Sequence, residues 1–417
     1  MSPARSLAAT LAALALSLPA VAGLAVTTTT LNGPTASNAG TTVVFTATVI
    51  GESPSGTVNF TDGPASIGGC AAAPLVAGNA TCITAFLTDG LHLLNAVYSG
   101  DGSNGVSASN HLFHTVTGTI TLPVRGDANG DRKADLFWRV PAPGTGLSWW
   151  TMDGAATTGA NYHEVGAEWQ VADVADLDGD GKADLVWRRA SDGATYLWTL
   201  DGLGFKGFHD LGILDPAAWI LIGAADFNAD ARADILWRNA DGTLYAWLMN
   251  GGTIVAQGVL GNPGEAWQVI DLADMNADGK ADIVFRHSTT GQVYVWFMNG
   301  LVTTGGASPG SIDMFWTLLA AADFNGDGRA DLLWRNISGL HWVWLMDGGT
   351  ITGGGSPGNP GGTWSVKSVA DFDGDGKADI VWRDAAGTTY LWKMDGTTAT
   401  AYLPVANPGG SWQVVAP

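Results

Sequence analysis

The sequence predicts an all-β protein in two parts, a β-sandwich followed by a six-bladed β-propeller. Three observations carry this reading. A nine-residue acidic loop, Asp-x-Asp/Asn-x-Asp-x-x-x-Asp, is written six times, starting at Asp127, Asp176, Asp226, Asp274, Asp323 and Asp371, at spacings of 48 to 50 residues. Residues 24–117 instead alternate apolar and polar at period two, with turn clusters between short runs. The chain then finishes on Ser411-Trp412-Gln413-Val414-Val415, a Trp strand of the kind that precedes the later loops.

The repeat unit comes first because it is longest. A fixed period near 49 means one supersecondary unit copied in an array that buries its core by stacking neighbours. Each unit reads as four strands. A Trp strand (Trp169, Trp219, Trp267, Trp316, Trp364) precedes the loop, and an apolar pair with Trp-Arg, or Phe285-Arg286, follows it. A third strand alternates aromatics, as in Tyr196-Leu197-Trp198, and a Gly-rich fourth varies most. Four strands per 40 to 50 residues is propeller arithmetic. The place before Asp127 lacks a Trp strand, so the C-terminal strand is expected to complete the first blade and leave no open edge.

The loops are expected to hold calcium, four to six ions in all. Side chains at positions 1, 3, 5 and 9 of a tight loop converge, and a carbonyl at position 7 can join them. Oxygen donors in that number suit Ca²⁺, whereas thiolate and imidazole are missing from every copy. The candidate ligands are Asp127, Asn129, Asp131 and Asp135; Asp176, Asp178, Asp180 and Asp184; Asp226, Asn228, Asp230 and Asp234; Asp274, Asn276, Asp278 and Asp282; Asp323, Asn325, Asp327 and Asp331; Asp371, Asp373, Asp375 and Asp379. Position 6, a sharp turn, is Gly in four copies but Arg132 and Ala231 in two, which are therefore expected to bind weakly or not at all. These loops hold more than half of the 39 acidic residues, so they repel one another without a counter-ion. At a Kd near 10⁻⁴ M and about 1 mM ion, each site would add roughly 1.4 kcal/mol, so the metal reads as structural.

The phrases "DLDGDGKADLVWR" and "DFDGDGKADIVWR" and their four relatives resemble FG-GAP or VCBS-type repeats of integrin α-subunit propellers, some fungal lectins and many exported bacterial proteins. The resemblance runs from about Val124 to Pro417 and implies a propeller with calcium in the loops. The integrin Phe-Gly and Gly-Ala-Pro segments are poorly matched.

The first part, residues 23–118, is expected to be a sandwich of about seven short strands, with a linker at 119–125 and the propeller at 126–417. "GTVNFTDG", "DGLHLLNAVYSGDG" and "HLFHTVT" resemble bacterial Ig-like repeats, which imply a domain that spaces or presents its neighbour. Cys70 and Cys82 are expected to pair, and His111 and His114 to be surface or edge residues. Residues 1–22 read as a secretory signal peptide: Arg5, an apolar run from Leu7 to Leu18, then Ala20-Val21-Ala22, with cleavage after Ala22. The run is too short to span a bilayer. A secreted or cell-surface protein is expected.

A formal charge of −20 argues against nucleic acid and an anionic membrane surface as partners. Neither a Ser-His-Asp order, a phosphate loop nor a zinc motif appears, so no catalytic residue is assigned. Arg125-Gly126-Asp127 spells an integrin-binding tripeptide, but Asp127 also opens the first loop, and coincidence is the reading taken. The arginines after Trp are expected to pair with loop carboxylates, and the Trp to fill gaps between blades. The function expected is recognition or adhesion toward an extracellular protein or polysaccharide by a monomer without membrane insertion. The alternatives are a calcium-dependent lectin and a polysaccharide lyase.

Overall fold

The computed structural model describes residues 24–38, 43–63, 65–67, 70–84, 90–117 and 124–416, and these contain strands and no helix. The signal peptide and most of the expected linker lie outside the described residues. The chain divides into two compact units, Met1–Thr119 and Ile120–Pro417. No helix among the described residues is long and apolar enough to cross a membrane.

The first unit is a sandwich, antiparallel except where Ala36–Asn38 pairs parallel with Leu112–Thr117. One sheet orders Thr28–Asn32, Val43–Ile50 and Asn79–Thr84; the other runs from Ala36–Asn38 through Leu112–Thr117 and Gly90–Tyr98 to Thr57–Asp62. Val43–Ile50 shows why: its side chains alternate buried and outward, sending Val43, Phe45, Ala47 and Val49 into the core. Cys70 and Cys82 are disulfide-bonded and buried in that core. His114 departs from expectation. It is fully buried, edge-on to Phe45, with its ring nitrogens 2.9 Å from Ser37 Oγ and 2.8 Å from the Pro34 carbonyl. An amphipathic ring with both nitrogens paired can be buried.

Among the described residues the second unit contains six sheets. Five have four strands each, beginning at Trp169–Ala175, Trp219–Ala225, Trp267–Ala273, Trp316–Ala322 and Trp364–Ala370. The remaining sheet, the first in chain order, is built on Leu136–Arg139 and Gly146–Asp153, and Leu136–Arg139 pairs antiparallel with the C-terminal strand Gln413–Ala416. Within each sheet the second strand is buried on both faces, so it reads as an unbroken apolar run, such as Leu185-Val186-Trp187. Trp138, Trp187, Trp237, Trp334 and Trp382 are almost wholly buried there. Each packs diagonally against an aromatic of the third strand, as Trp187 does on Trp198 at 4.8 Å between centroids.

The arginines that follow these Trp do not pair with loop carboxylates. The reason is distance: loop and arginine lie at opposite ends of one short strand, about 13 Å apart for four residues. Instead they reach toward the next sheet. Arg188 donates to the carbonyls of Gly193, Leu214 and Trp219 at 3.0 Å each, and its guanidinium lies 4.7 Å from the ring centre of Trp237. Arg139 sits over Trp187, Arg286 over Trp334 and Arg383 over Trp138. Where the fifth sheet meets the sixth, His341 takes this place, edge-on to Trp382 at 4.7 Å. His341 is buried, and among the described residues neither ring nitrogen has a hydrogen-bond partner.

Two outcomes follow from these contacts. Arg188→Ala strips donors from buried carbonyls and is expected to cost about 2–4 kcal/mol by thermal denaturation; Arg188→Lys should recover little, because an ammonium cannot reproduce the fork or the stacking. Burial, with Arg335 adding its charge, pushes the His341 pKa down to about 4. A histidine depressed in the folded state loses stability as pH falls below its unfolded pKa of about 6.5. His341→Leu, matching Leu147 and Leu244 at the same register position, should therefore raise Tm at pH 7, with a gap that widens toward pH 5. A gap that narrows would refute the assignment.

Candidate metal centre

Each of the last five acidic loops joins the first strand of its sheet to the second, and the loop at Asp127 enters Leu136–Arg139 in the same way. Its shape is set by its own carboxylates. Position 1 takes up two backbone N–H groups: Asp176 Oδ1 accepts from Gly179 at 2.7 Å and Oδ2 from Gly181 at 2.8 Å, and Asp371 does the same with Gly374 and Gly376. Position 3 accepts from the amide of position 5, and position 5 from that of position 7, as in Asp178, Asp180 and Lys182. Position 9 lies beneath the loop, fully buried. Asp184 accepts from Leu177 N–H at the loop start and from Leu200 N–H on the third strand, both at 3.0 Å. Asp135, Asp234, Asp282, Asp331 and Asp379 make the same two contacts.

Burial without a counter-charge tells on these acids. It pushes the position-9 carboxyls up to about 8 at Asp184, Asp234 and Asp282 and about 7 at Asp135, Asp331 and Asp379, against the pull of their amide donors. Asp176, Asp226 and Asp274 at position 1 rise to about 6 for the same first cause. A cation in the loop would offset that cost.

The six copies differ in what they bring together. In two of them three carboxylates place oxygens within 4.8 Å of one another: Asp176, Asp178 and Asp184, and Asp371, Asp373 and Asp375. All donors are oxygens, which fits a hard cation. An ammonium lies against each of these two loops, with Lys206 Nζ 2.7 Å from Asp178 and 2.8 Å from Asp180, and Lys393 against Asp373. In the copies with Asn at position 3 the amide is turned inward instead. Asn129, Asn228 and Asn325 donate to Asp131, Asp230 and Asp327 at 3.1 to 3.2 Å. Asn276 accepts from the Asp278 amide, while Asp274 and Asp282 keep the loop bonds of the other copies. Arg132 and Ala231, expected to spoil position 6, adopt φ of 71° and 64°, and their amides still bond Asp127 and Asp226 at 2.6 and 2.8 Å. A charge-assisted bond to a buried carboxylate outweighs the left-handed penalty of about 1–2 kcal/mol.

Neighbouring loops are joined through their backbones. The amide at position 8 donates to the position-1 carbonyl of the preceding copy: Ala183 to Asp127, Ala233 to Asp176, Ala281 to Asp226, Ala330 to Asp274, Ala378 to Asp323, and Ala134 to Asp371, at 2.5 to 2.8 Å. A second set runs from the Gly after each third strand to position 2 of the preceding loop, from Gly202 to Ala128 through to Gly154 to Phe372. Sequence reasoning passed over position 8, although Ala recurs there six times. It also missed Asp173 and Asp271. Strand bulges turn both toward Arg125, which lies 3.0 Å from Asp173 and 3.9 Å from Asp271. Arg125 is thus ion-paired and Asp127 buried, so the tripeptide is not a free recognition motif.

Comparison with known proteins agrees with this organisation. A bacterial Ig-like domain (group 3) model matches residues 28–127. An FG-GAP-like repeat model matches residues 127–187, 176–237, 226–285, 274–334 and 323–382, each span opening on an acidic loop. No curated protein matches the chain. Among solved structures, similarity is found to a quinonprotein alcohol dehydrogenase-like protein from Bacteroides thetaiotaomicron, with 9% identity over 91% of this chain and 95% of that one and a TM-score of 0.34. Raptor from Chaetomium thermophilum shares 9% identity over 56% of this chain and 25% of its own, with a TM-score of 0.33. Scores this low carry no argument. The repeat matches together run over more than half of the chain, which therefore belongs to the FG-GAP-like repeat family and carries its repeats behind a bacterial Ig-like domain.

Proposed function

We propose that this is an exported recognition or adhesion module, a monomeric six-bladed ring closed by its C-terminal strand and stiffened by structural Ca²⁺. FG-GAP-like repeats on propeller-like sheets suggest a protein-interaction module. The single observation that carries the ring is the hydrogen bond from Ala134 to Asp371, which joins the first loop to the sixth as the others are joined in order. Pairing of Leu136–Arg139 with Gln413–Ala416 supports it. Export is supported by the Cys70–Cys82 disulfide, which suits an extracellular environment. The residues that would hold calcium are the loop carboxylates and asparagines at positions 1, 3, 5 and 9. Calcium there would supply positive charge to carboxylates that burial alone disfavours.

A second reading, a lectin, is favoured by one cavity of about 320 Å³ lined by Trp169, Trp187, Tyr196, Trp198 and Glu164. Indole faces with a nearby carboxylate match the alternating apolar and hydroxyl surfaces of a sugar ring. In both readings the module binds rather than catalyses.

Calorimetry of the chelator-stripped full chain tests the calcium reading. Added Ca²⁺ is expected to raise Tm, and Asp278→Ala with Asp327→Ala to remove about 1.4 kcal/mol of that gain per site at about 1 mM ion. Indifference of the wild type to Ca²⁺ would contradict it. A glycan array with and without Ca²⁺ then separates the two binding readings, since saturable sugar-specific signal selects the lectin. Unsaturated products from acidic polysaccharides would overturn both in favour of a lyase.

A further inference from the structure

The six loops fall into two charge classes, and lysine tracks the difference. Asp stands at position 3 only in the copies at Asp176 and Asp371, which carry four carboxylates; the other four copies have Asn there and three carboxylates. Lys206, on the fourth strand of its sheet, contacts Asp178 and Asp180 of the first all-carboxylate loop. Lys393, on the third strand of its sheet, contacts Asp373 of the other. The two lysines come from different strands, so one inherited position does not explain both.

The positions aligned with them elsewhere hold no base. Thr158, Val255, Thr304, Thr352 and Thr400 correspond to Lys206 in the fourth strands, and Thr151, Thr199, Leu248, Phe297 and Leu345 to Lys393 in the third. Each extra carboxylate is thus matched by one ammonium, and all six loops arrive at the same formal charge of about −3 from the side chains at positions 1, 3, 5 and 9 and this lysine.

We propose that Lys206 and Lys393 are built-in counter-ions that occupy the cation position of the two all-carboxylate loops. A divalent ion entering those loops has to displace the ammonium. The loops that look best for metal by composition thus have their extra charge offset at close range, whereas in the Asn loops the nearest cations are the position-7 side chains at longer reach, Lys280 3.6 Å from Asp278 and Arg232 4.0 Å from Asp230. This inference rests on reading the loops as cation sites. Affinity of an oxygen cage rises with its carboxylate charge and falls when a fixed cation competes.

The test is Ca²⁺ titration of the chelator-stripped full chain by equilibrium dialysis and by Tm, comparing wild type with Lys206→Met/Lys393→Met, which keeps the apolar stems. Lys367→Met, removing an exposed charge that makes no ion pair among the described residues, controls for net charge. The double variant is expected to melt lower in chelator, to show two sites tightened about tenfold or two additional sites, and to gain more Tm from Ca²⁺ than wild type. Wild-type stoichiometry and affinity in the double variant, weaker binding, or an equal response in Lys367→Met would overturn the proposal. Failure of wild type alone to take up Ca²⁺, with uptake by the double variant, supports it. If neither takes up Ca²⁺, both this inference and the calcium reading fall.

Discussion

The second unit depends on one repeated hydrogen bond, the amide at loop position 8 to the position-1 carbonyl of the preceding loop. Sheets packed face to face gain apolar burial, but burial is non-directional and sets no register between them. These bonds do, and the parallel set from the post-strand glycines doubles them. They work only if the loop presents its carbonyls outward at a fixed angle, which is what the internal carboxylate contacts enforce. Position 1 ties down the turn, and buried position 9 ties the turn to the third strand. The residue at position 8 is Ala in every copy and nearly buried, which lets two backbones approach to hydrogen-bonding distance.

Concentrating acids this way has an electrostatic cost that the molecule offsets in several ways. Position 7 is Lys or Arg in all six loops, and four of these pair with the Asp that ends the third strand of the same sheet, as Lys182 does with Asp201. Lys206 and Lys393 add positive charge where position 3 is also acidic. Such exposed pairs contribute little singly. The position-9 carboxyls, out of reach of solvent, still sit far above the ordinary range. At the opposite end of four of the second strands, the joint is an arginine over a Trp, a contact between neighbouring sheets that needs no carboxylate.

How much of this was legible in the sequence depends on the range of the interaction. Period, loop motif and four-strand unit are local patterns, and each appears where residue spacing put it, down to a C-terminal strand beside Leu136–Arg139. The arginines were misjudged because charge complementarity was considered without the length of the strand separating Arg188 from Asp184. His114 was misjudged because its partners Ser37 and Pro34 lie some 80 residues earlier in the chain. The lysine contacts were within reach of sequence, since aligning the six copies shows Lys206 and Lys393 only where position 3 is Asp. The Arg125 pairing with Asp173 and Asp271 was not, because strand bulges aim those side chains.

Native-state hydrogen exchange at the six position-8 amides tests the central claim most directly. If the loop-to-loop bonds form one cooperative circuit, Ala134, Ala183, Ala233, Ala281, Ala330 and Ala378 exchange slowly and with one common opening free energy, close to that of global unfolding of this unit. Fast, independent exchange at Ala134, with the other five protected, would show that the first and sixth loops are not joined and would contradict the account.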